Sequence, residues 1–400
     1  MKNLKPLIGA IVPALVELRH SLHACPELGY EEEETAQRLL AELKPLPGLD
    51  IRSGVAETGI VATLGAEKEG PCVALRADMD GLPITEETDK SYASRYRGRM
   101  HACGHDGHMA CLVGAAKVLS QMQDELEGPV KFIFQPAEET GAGGQRMCQE
   151  GALQEPKVDA VFGLHGWPTM KLGRAGVRRG ALLAGSRNFE IIVRGIGTHA
   201  ARPHAGVDPI MIAGQLINAI QSIVSRTTDP LEGAVVSVTM LEAGNTTNVI
   251  PEIARLCGTL RGLRDEVIEA TTERLEHLAV NLARSLNGDA DVRIEEGYPV
   301  MVNDAKATDY FADIGRKVIG KSAFNSTVTP TMGSEDFAFY AREVPAAFWF
   351  LGLCPPDRST YPGLHNPQFD FVDAAIPVAV ELHCETARRF AQQWGGEDRK

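Results

Sequence analysis

Short apolar runs, each about the length of one buried strand, alternate along most of this chain with stretches of helical period, and the alternation predicts a layered α/β protein. Residues 60–64, 72–77, 130–134 and 158–164 read as buried strands, and residues 107–126 and 141–151 as helices. The first ~45 residues read as two amphipathic helices broken at Pro26 and Gly29. The acidic run at 31–34 opens the second of these, where negative charge suits a helix N-terminus; it reads as a cap rather than a site.

A different order begins near residue 185. Strand 188–194, helix 209–226, strands 234–241 and 253–261, helix 265–286 and strand 291–295 give β-α-β-β-α-β, the signature of the ferredoxin-like split fold. Asp208 before Pro209 is an N-cap with proline at the first helical position. This unit is complete in itself, so it reads as an insertion. The predicted domains are 1–184 with 297–400, and 185–296. After it the first pattern resumes, with a helix over 305–319, a strand over 346–351 and a last helix over 373–393.

Composition narrows the function. A length of 400 residues exceeds the roughly 250 to 300 that one core usually organises. The formal net charge of -13, with no run of Lys and Arg, excludes nucleic acid and anionic membrane as natural partners. No apolar stretch reaches spanning length, and the start M-K-N-L-K-P lacks a secretory h-region, so a cytoplasmic location is expected. Eight cysteines at irregular spacing predict reduced thiols, and Cys111 and Cys384 read as small buried hydrophobes.

The chemistry concentrates at residues 101–108, H-A-C-G-H-D-G-H, which hold three of the chain's 11 histidines with a cysteine and an aspartate. Borderline transition metals take that donor set. Three predicted strands also run directly into polar donors: Asp78 and Asp80, Glu138 and Glu139, and His165. Ligands in open α/β sheets gather beyond the carboxyl ends of strands, so these donors should converge, with His365 from L-H-N-P added late. Thiolate, imidazoles and carboxylates together exceed what one tetrahedral ion needs. Two metals about 3.5 to 4 Å apart, with a water between them, would use the set better. Of the adjacent pair Glu138 and Glu139, one can bind metal while the other acts as general base; the residues alone do not say which.

At this point the motifs R-A-D-M-D-G-L-P, H-A-C-G-H-D-G-H, Q-P-A-E-E, G-L-H, G-T-H-A-A-R-P-H, N-T-T-N-V-I-P, M-G-S-E-D-F and L-H-N-P resemble, in order and from about residue 15 to 390, one known family. It is the aminoacylase/carboxypeptidase family of two-metal peptidases, in its hippurate hydrolase and auxin-conjugate amidohydrolase branch. The resemblance implies Cys103, His105, Glu139, His165 and His365 as metal ligands, Glu138 as general base and Asp80 as an acid that orients a ligand. It implies that the inserted domain is a lid and dimerisation domain. There His199 would reach across a homodimer to the oxyanion, and Asn248 and Arg261 would bind the substrate carboxylate. Asp78 stands where other branches carry a metal-binding His, and the Cys103 loop where they use a bridging Asp. The metal therefore stays open, with Mn or Zn foremost and Co or Ni as alternatives.

The activity so implied is metal-dependent hydrolysis of N-acyl amino acids, with hippurate-like N-aroyl substrates first. A metallo-dipeptidase or carboxypeptidase, or an N-acetyl amino-acid deacetylase, would use the same site. Two readings from other classes compete: a thiol hydrolase with Cys103 as nucleophile and His105 as base, and a non-catalytic interaction protein with structural zinc. His101, His108 and His204 read as supporting or capping residues, and His20, His23, His277 and His383 as surface or satisfied ones. Trp167, Trp349 and Phe348 read as core or pocket wall.

Overall fold

Strands that are apolar at every position can be buried only from both faces. Here they make the middle of an eight-stranded sheet in a computed structural model that describes residues 3–394. Its strand order is Leu49–Val55, Gly59–Leu64, Val130–Gln135, Cys72–Asp78, Val158–Lys171, Ala346–Cys354, Ala175–Gly176 and Phe324–Asn325. The four central strands, Val130–Gln135 to Ala346–Cys354, run parallel, while Gly59–Leu64 pairs antiparallel on both sides. Asp78 lies opposite Gln135, and His165 opposite Phe350. Arg76 faces Gly163, so Asp78 and His165 also come level at the same end of the sheet.

Several elements depart from the expected pattern, among them the short strands Ala175–Gly176 and Phe324–Asn325 and the helix Ala338–Glu343. Leu49–Val55 is a strand at the sheet edge with mostly exposed positions, so it carries no apolar run to announce it. The strand expected to end at Leu164 continues to Lys171, which puts His165 within it.

Helices Lys5–His23, His105–Ser120 and Ile376–Trp394 pack on one another beside the sheet, with Glu33–Leu43 and Ala305–Val318 against them. His105–Ser120 is buried at all but one position, as a helix apolar nearly all round must be. Leu15, Leu22, Leu112, Leu119 and Phe390 are fully buried in this core, each contributing about 1.5 to 3 kcal/mol.

The chain forms two compact units, one of Met1–Gly180, Val302–Thr329 and Asp336–Lys400, the other of Ala181–Met301 and Pro330–Glu335. Within the second, the sheet order is Ala234–Ala243, Ile253–Gly262, Gly185–Arg194, Asp289–Glu296, all antiparallel. Counted along the chain this is strand order 2-3-1-4, the ferredoxin-like arrangement, with Pro209–Ser222 and Asp265–Ser285 as its helices. Asp208 caps the first by accepting from the N–H groups of Ile210 and Met211. Strand Ala234–Ala243 is an edge that leaves Met240 and Leu241 exposed. Among the described residues, no helix is long and apolar enough to cross a membrane.

A buried charge network braces the first unit. Arg19 on the first helix bonds Asp106 (3.1 Å) and Asp370 (2.8 Å), and His23 one turn later lies between Asp106 (2.9 Å) and Glu86 (3.2 Å). Burial alone would lower the His23 imidazole, but Asp106 and Glu86 outweigh it and hold it up at about 9. A folded value above the ordinary 6.5 means that this stabilisation is complete below pH 6.5 and lost as pH rises through about 9. It is on the order of 3 kcal/mol. The His23→Gln variant should therefore show a flatter fall in unfolding free energy over that window, read from urea titrations. Equal slopes in the two proteins would exclude the imidazolium as their cause.

Candidate metal centre

Two loops at the carboxyl ends of central strands, the strand through His165, the start of one helix and a late turn bring the site together. Gly104, at φ +91°, supplies the left-handed turn that only glycine adopts without strain, between Cys103 and the helix beginning at His105. Cys103 Sγ lies 3.3 Å from His165 Nε2. Cys103, His105 and His165 have ligand atoms within 4.8 Å of one another, as do Cys103, Glu139 and His365, and His105, Glu138 and Glu139. All five residues implied as ligands, with Glu138, thus fall into overlapping clusters. The imidazole beside the thiol is that of His165, which lowers the standing of a Cys103–His105 nucleophile and base pair.

Four of the five candidate ligands are held by a second contact. His105 Nδ1–H donates to the backbone oxygen of Asp80 (2.8 Å), with Asp80 Oδ1 at 3.2 Å, so Nε2 turns toward the cluster. Asp80 Oδ2 accepts the Glu139 N–H (2.9 Å). His165 Nδ1–H donates to the Gly166 oxygen (2.8 Å), again leaving Nε2 for the cluster. His365 holds a left-handed backbone, φ +61°, and its N–H donates to Ala102 O (2.9 Å), which fixes it to the Cys103 loop. Its Nε2 is 3.4 Å from Glu139 Oε1, and His105 Nε2 is 3.9 Å from the same atom. Glu138 borders the same cluster, with a ligand atom within 4.8 Å of those of His105 and Glu139, and its Oε1 accepts the Asp336 N–H at 3.4 Å.

His108 is a strut. Its Nε2 accepts the Gly166 N–H (2.8 Å), so Nδ1–H donates to Asp78 Oδ1 (2.7 Å) and both nitrogens are used. Asp78 in turn pairs with the fully buried Arg76 (2.8 Å), whose other arm reaches Asp336 (3.0 Å). Sequence reasoning gave Arg76 and Asp336 no role. The available signal was an arginine inside the apolar run C-V-A-L-R-A, since a charge at a buried strand position requires a buried partner.

The charge balance fits bound cations. Asp78, Asp80, Glu138 and Glu139 crowd a buried volume in which Arg76 is the permanent cation. Burial would raise the Glu139 carboxyl, yet His365 and His105 pull it below its ordinary value. Burial would lower His105, yet Asp78, Asp80 and Glu139 hold it up at about 10. His165 is driven well down by burial and by His108, which leaves it neutral as a ligand must be. Among the described residues, His105 Nε2 and Glu139 Oε1 are buried without a hydrogen-bond partner, although both face the cluster. These carboxylates call for positive charge at the point where the two orphaned atoms meet.

Residues 74–389 match the model of peptidase family M20/M25/M40. This chain belongs to that family. It is 39% identical to the N-acetyl-L-cysteine deacetylase of Bacillus subtilis over 96% of this chain and 89% of that protein. It is 38% identical to the IAA-amino acid hydrolase ILR1-like 2 of Arabidopsis thaliana, over 95% and 85% of the two chains. A solved Bacillus subtilis structure, YxeP, described as a dinuclear metal binding peptidase from the M20 family, superposes with a TM-score of 0.84 at 32% identity, covering 96% and 99%. The matches lie in the family's aminoacylase and amidohydrolase branch, and this M20 protein is a metal-dependent amidohydrolase or peptidase.

The candidate oxyanion and substrate-binding residues, His199, Asn248 and Arg261, belong to the second unit. His199 and Asn248 sit on paired segments, with Ala200 N–H donating to Asn248 O (2.9 Å). Ala201 N–H donates to His199 Nδ1 (3.0 Å), so the neutral ring carries its proton on the exposed Nε2. Arg261 donates to Ser334 Oγ (2.8 Å) and Met332 O (3.2 Å), and among the described residues no ion pair includes it.

Proposed function

We propose that this protein cleaves the amide bond of N-acyl amino acids, hippurate-like N-aroyl substrates first. Two divalent cations would be held by Cys103, His105, Glu139, His165 and His365. The observation that carries this reading is the buried donor set whose carboxylates outnumber their cationic partners around two orphaned ligand atoms. The deacetylase and IAA-amino acid hydrolase names of its relatives support an N-acyl amino acid substrate class. Thiolate and imidazole together suit zinc, and the carboxylates suit manganese, so these two metals come first.

Cations bound there supply the Lewis acid that polarises the scissile carbonyl and makes water acidic enough to react near neutral pH. The chain's own residues do the rest. Glu138, at the edge of the ligand cluster and bonded to the Asp336 amide, takes the proton of the attacking water and returns it to the departing amine. His199 Nε2–H is oriented by the Ala201 amide to donate to developing negative charge. Arg261, a guanidinium with no ion pair among the described residues, suits the carboxylate of the released amino acid, with Asn248 sharing that role. The exposed edge Ala234–Ala243 supports a homodimer through the inserted lid domain. Eight cysteines, none of them in a disulfide among the described residues, fit the reducing cytoplasm.

Metal analysis followed by a panel of N-benzoyl amino acids, N-acetyl amino acids and dipeptides, with and without chelator, tests this. Chelator-sensitive hydrolysis fastest on N-benzoylglycine is the expected result. Rates highest on free dipeptides would move the assignment to the peptidase alternative. Two bound metals with no cleavage of any member would end it.

A further inference from the structure

Residues 26–32, P-E-L-G-Y-E-E, precede a helix and contain part of the acidic run whose pattern suggests nothing beyond a cap. Glu32 does occupy the N-cap position of helix Glu33–Leu43, but it makes no side-chain cap bond. Capping falls to Glu27, whose carboxylate accepts the N–H groups of Glu34 (3.1 Å) and Thr35 (2.8 Å). Glu32 is fully buried, and its two oxygens accept Ala137 N–H (2.8 Å) and Thr58 Oγ1–H (2.7 Å).

Ala137 is the residue before Glu138, and it is held at φ +51°, a left-handed conformation that costs an alanine on the order of 1 to 3 kcal/mol. Such strain persists only where neighbours enforce it. The same short segment does so from several sides. A methyl group on Gly29 would meet Ala137 Cβ at 3.0 Å, and one on Gly141 would meet Ala137 Cβ and the Tyr30 ring at 2.6 Å, so the glycines let the two segments close directly on Ala137. Tyr30, itself at φ +65°, donates its hydroxyl to Gly141 O (2.7 Å). On the other flank Gly81 N–H donates to Glu27 O (2.7 Å), one residue past Asp80. The segment thus bridges the loop that aims His105 and the loop that carries Glu138 and Glu139.

We infer that residues 26–32 are a clamp that sets the aim of the Glu138–Glu139 turn, with Glu32 as its positioning residue. The inference rests on the assignment of Glu138 as the base. Without an acceptor at position 32 the Ala137 amide is left unpaired in the interior, and the turn relaxes toward an unstrained backbone that swings both carboxylates. Partners in this outer layer are worth about 10 to 100-fold in metal affinity or activity.

Glu32→Ala and Glu32→Gln in the full-length holoenzyme separate the possibilities. Glutamine keeps an amide oxygen for Ala137 N–H and offers its NH2 to Thr58. The expected result for Glu32→Ala is kcat down about 10 to 100-fold with KM within about twofold, and Mn(II) affinity by calorimetry weakened about tenfold. Glu32→Gln should stay within about threefold of wild type. Wild-type kcat and Mn(II) affinity in Glu32→Ala, or a glutamine variant as impaired as the alanine one, overturn the clamp. Should Glu32→Ala fail to fold, Tyr30→Phe decides: kcat about threefold or more lower at unchanged Tm supports the clamp, and wild-type kcat overturns it. A wild-type protein that cleaves no amide in the panel removes the functional reading instead, and the calorimetric comparison of Glu32→Ala with wild type then judges the clamp alone.

Discussion

Replacing Glu138 by glutamine is expected to lower kcat on an N-acyl amino acid about a thousandfold while both cations stay bound. The glutamine keeps an oxygen for the Asp336 amide, so shape and local bonding survive. What disappears is the carboxylate that can hold a proton between water and the leaving amine. The donors of Glu139, His105 and His365 are themselves unchanged by the substitution, although Glu138 borders them with a ligand atom within 4.8 Å of those of His105 and Glu139. Elemental analysis alongside kcat decides the matter. A variant that loses metal together with activity would make Glu138 a ligand. One that keeps wild-type turnover would remove it from the chemistry, as the interaction-protein alternative requires.

Stripping the cations is expected to abolish hydrolysis and to lower Tm by roughly 5 °C. With the ions gone, the buried carboxylates face one another with Arg76, a protonated His105 and the His365 imidazole beside Glu139 to balance them. The proton competes with the metal. His105 is held at about 10 in the metal-free cavity, so binding must displace its proton, and apparent cation affinity should fall as pH falls, by up to about tenfold per unit for one proton. Calorimetry at three pH values in buffers of different ionisation enthalpy checks the sign. Affinity independent of pH would mean that His105 is not displaced and so not a ligand. Unchanged Tm after complete stripping would show that the cavity does not depend on the ions for stability.

Much of this was legible because chemistry and periodicity agreed. The insertion's β-α-β-β-α-β order followed from clean alternation of apolar runs and helical stretches, and the ligand loops from polar donors placed at strand ends. What escaped had no local signal. Leu49–Val55 lies at an edge, where polar and apolar residues serve equally well. The strand through His165 runs on past Pro168, in a stretch that reads as loop. Of the supporting layer, His108 was read as such, but the roles of Arg76 and Glu32 depend on partners such as Asp336 and Ala137, 260 and 105 positions away, and no spacing rule reaches across such distances. His199, Asn248 and Arg261 were visible only through resemblance, since turn-forming residues surround them.

Asp80 touches His105 through both its backbone and side-chain oxygens and Glu139 through its remaining carboxylate oxygen. One short residue therefore governs two donors that come from different loops. Metal preference in such a cage cannot be retuned one ligand at a time, because any drift of the shared post moves the imidazole and the carboxylate together.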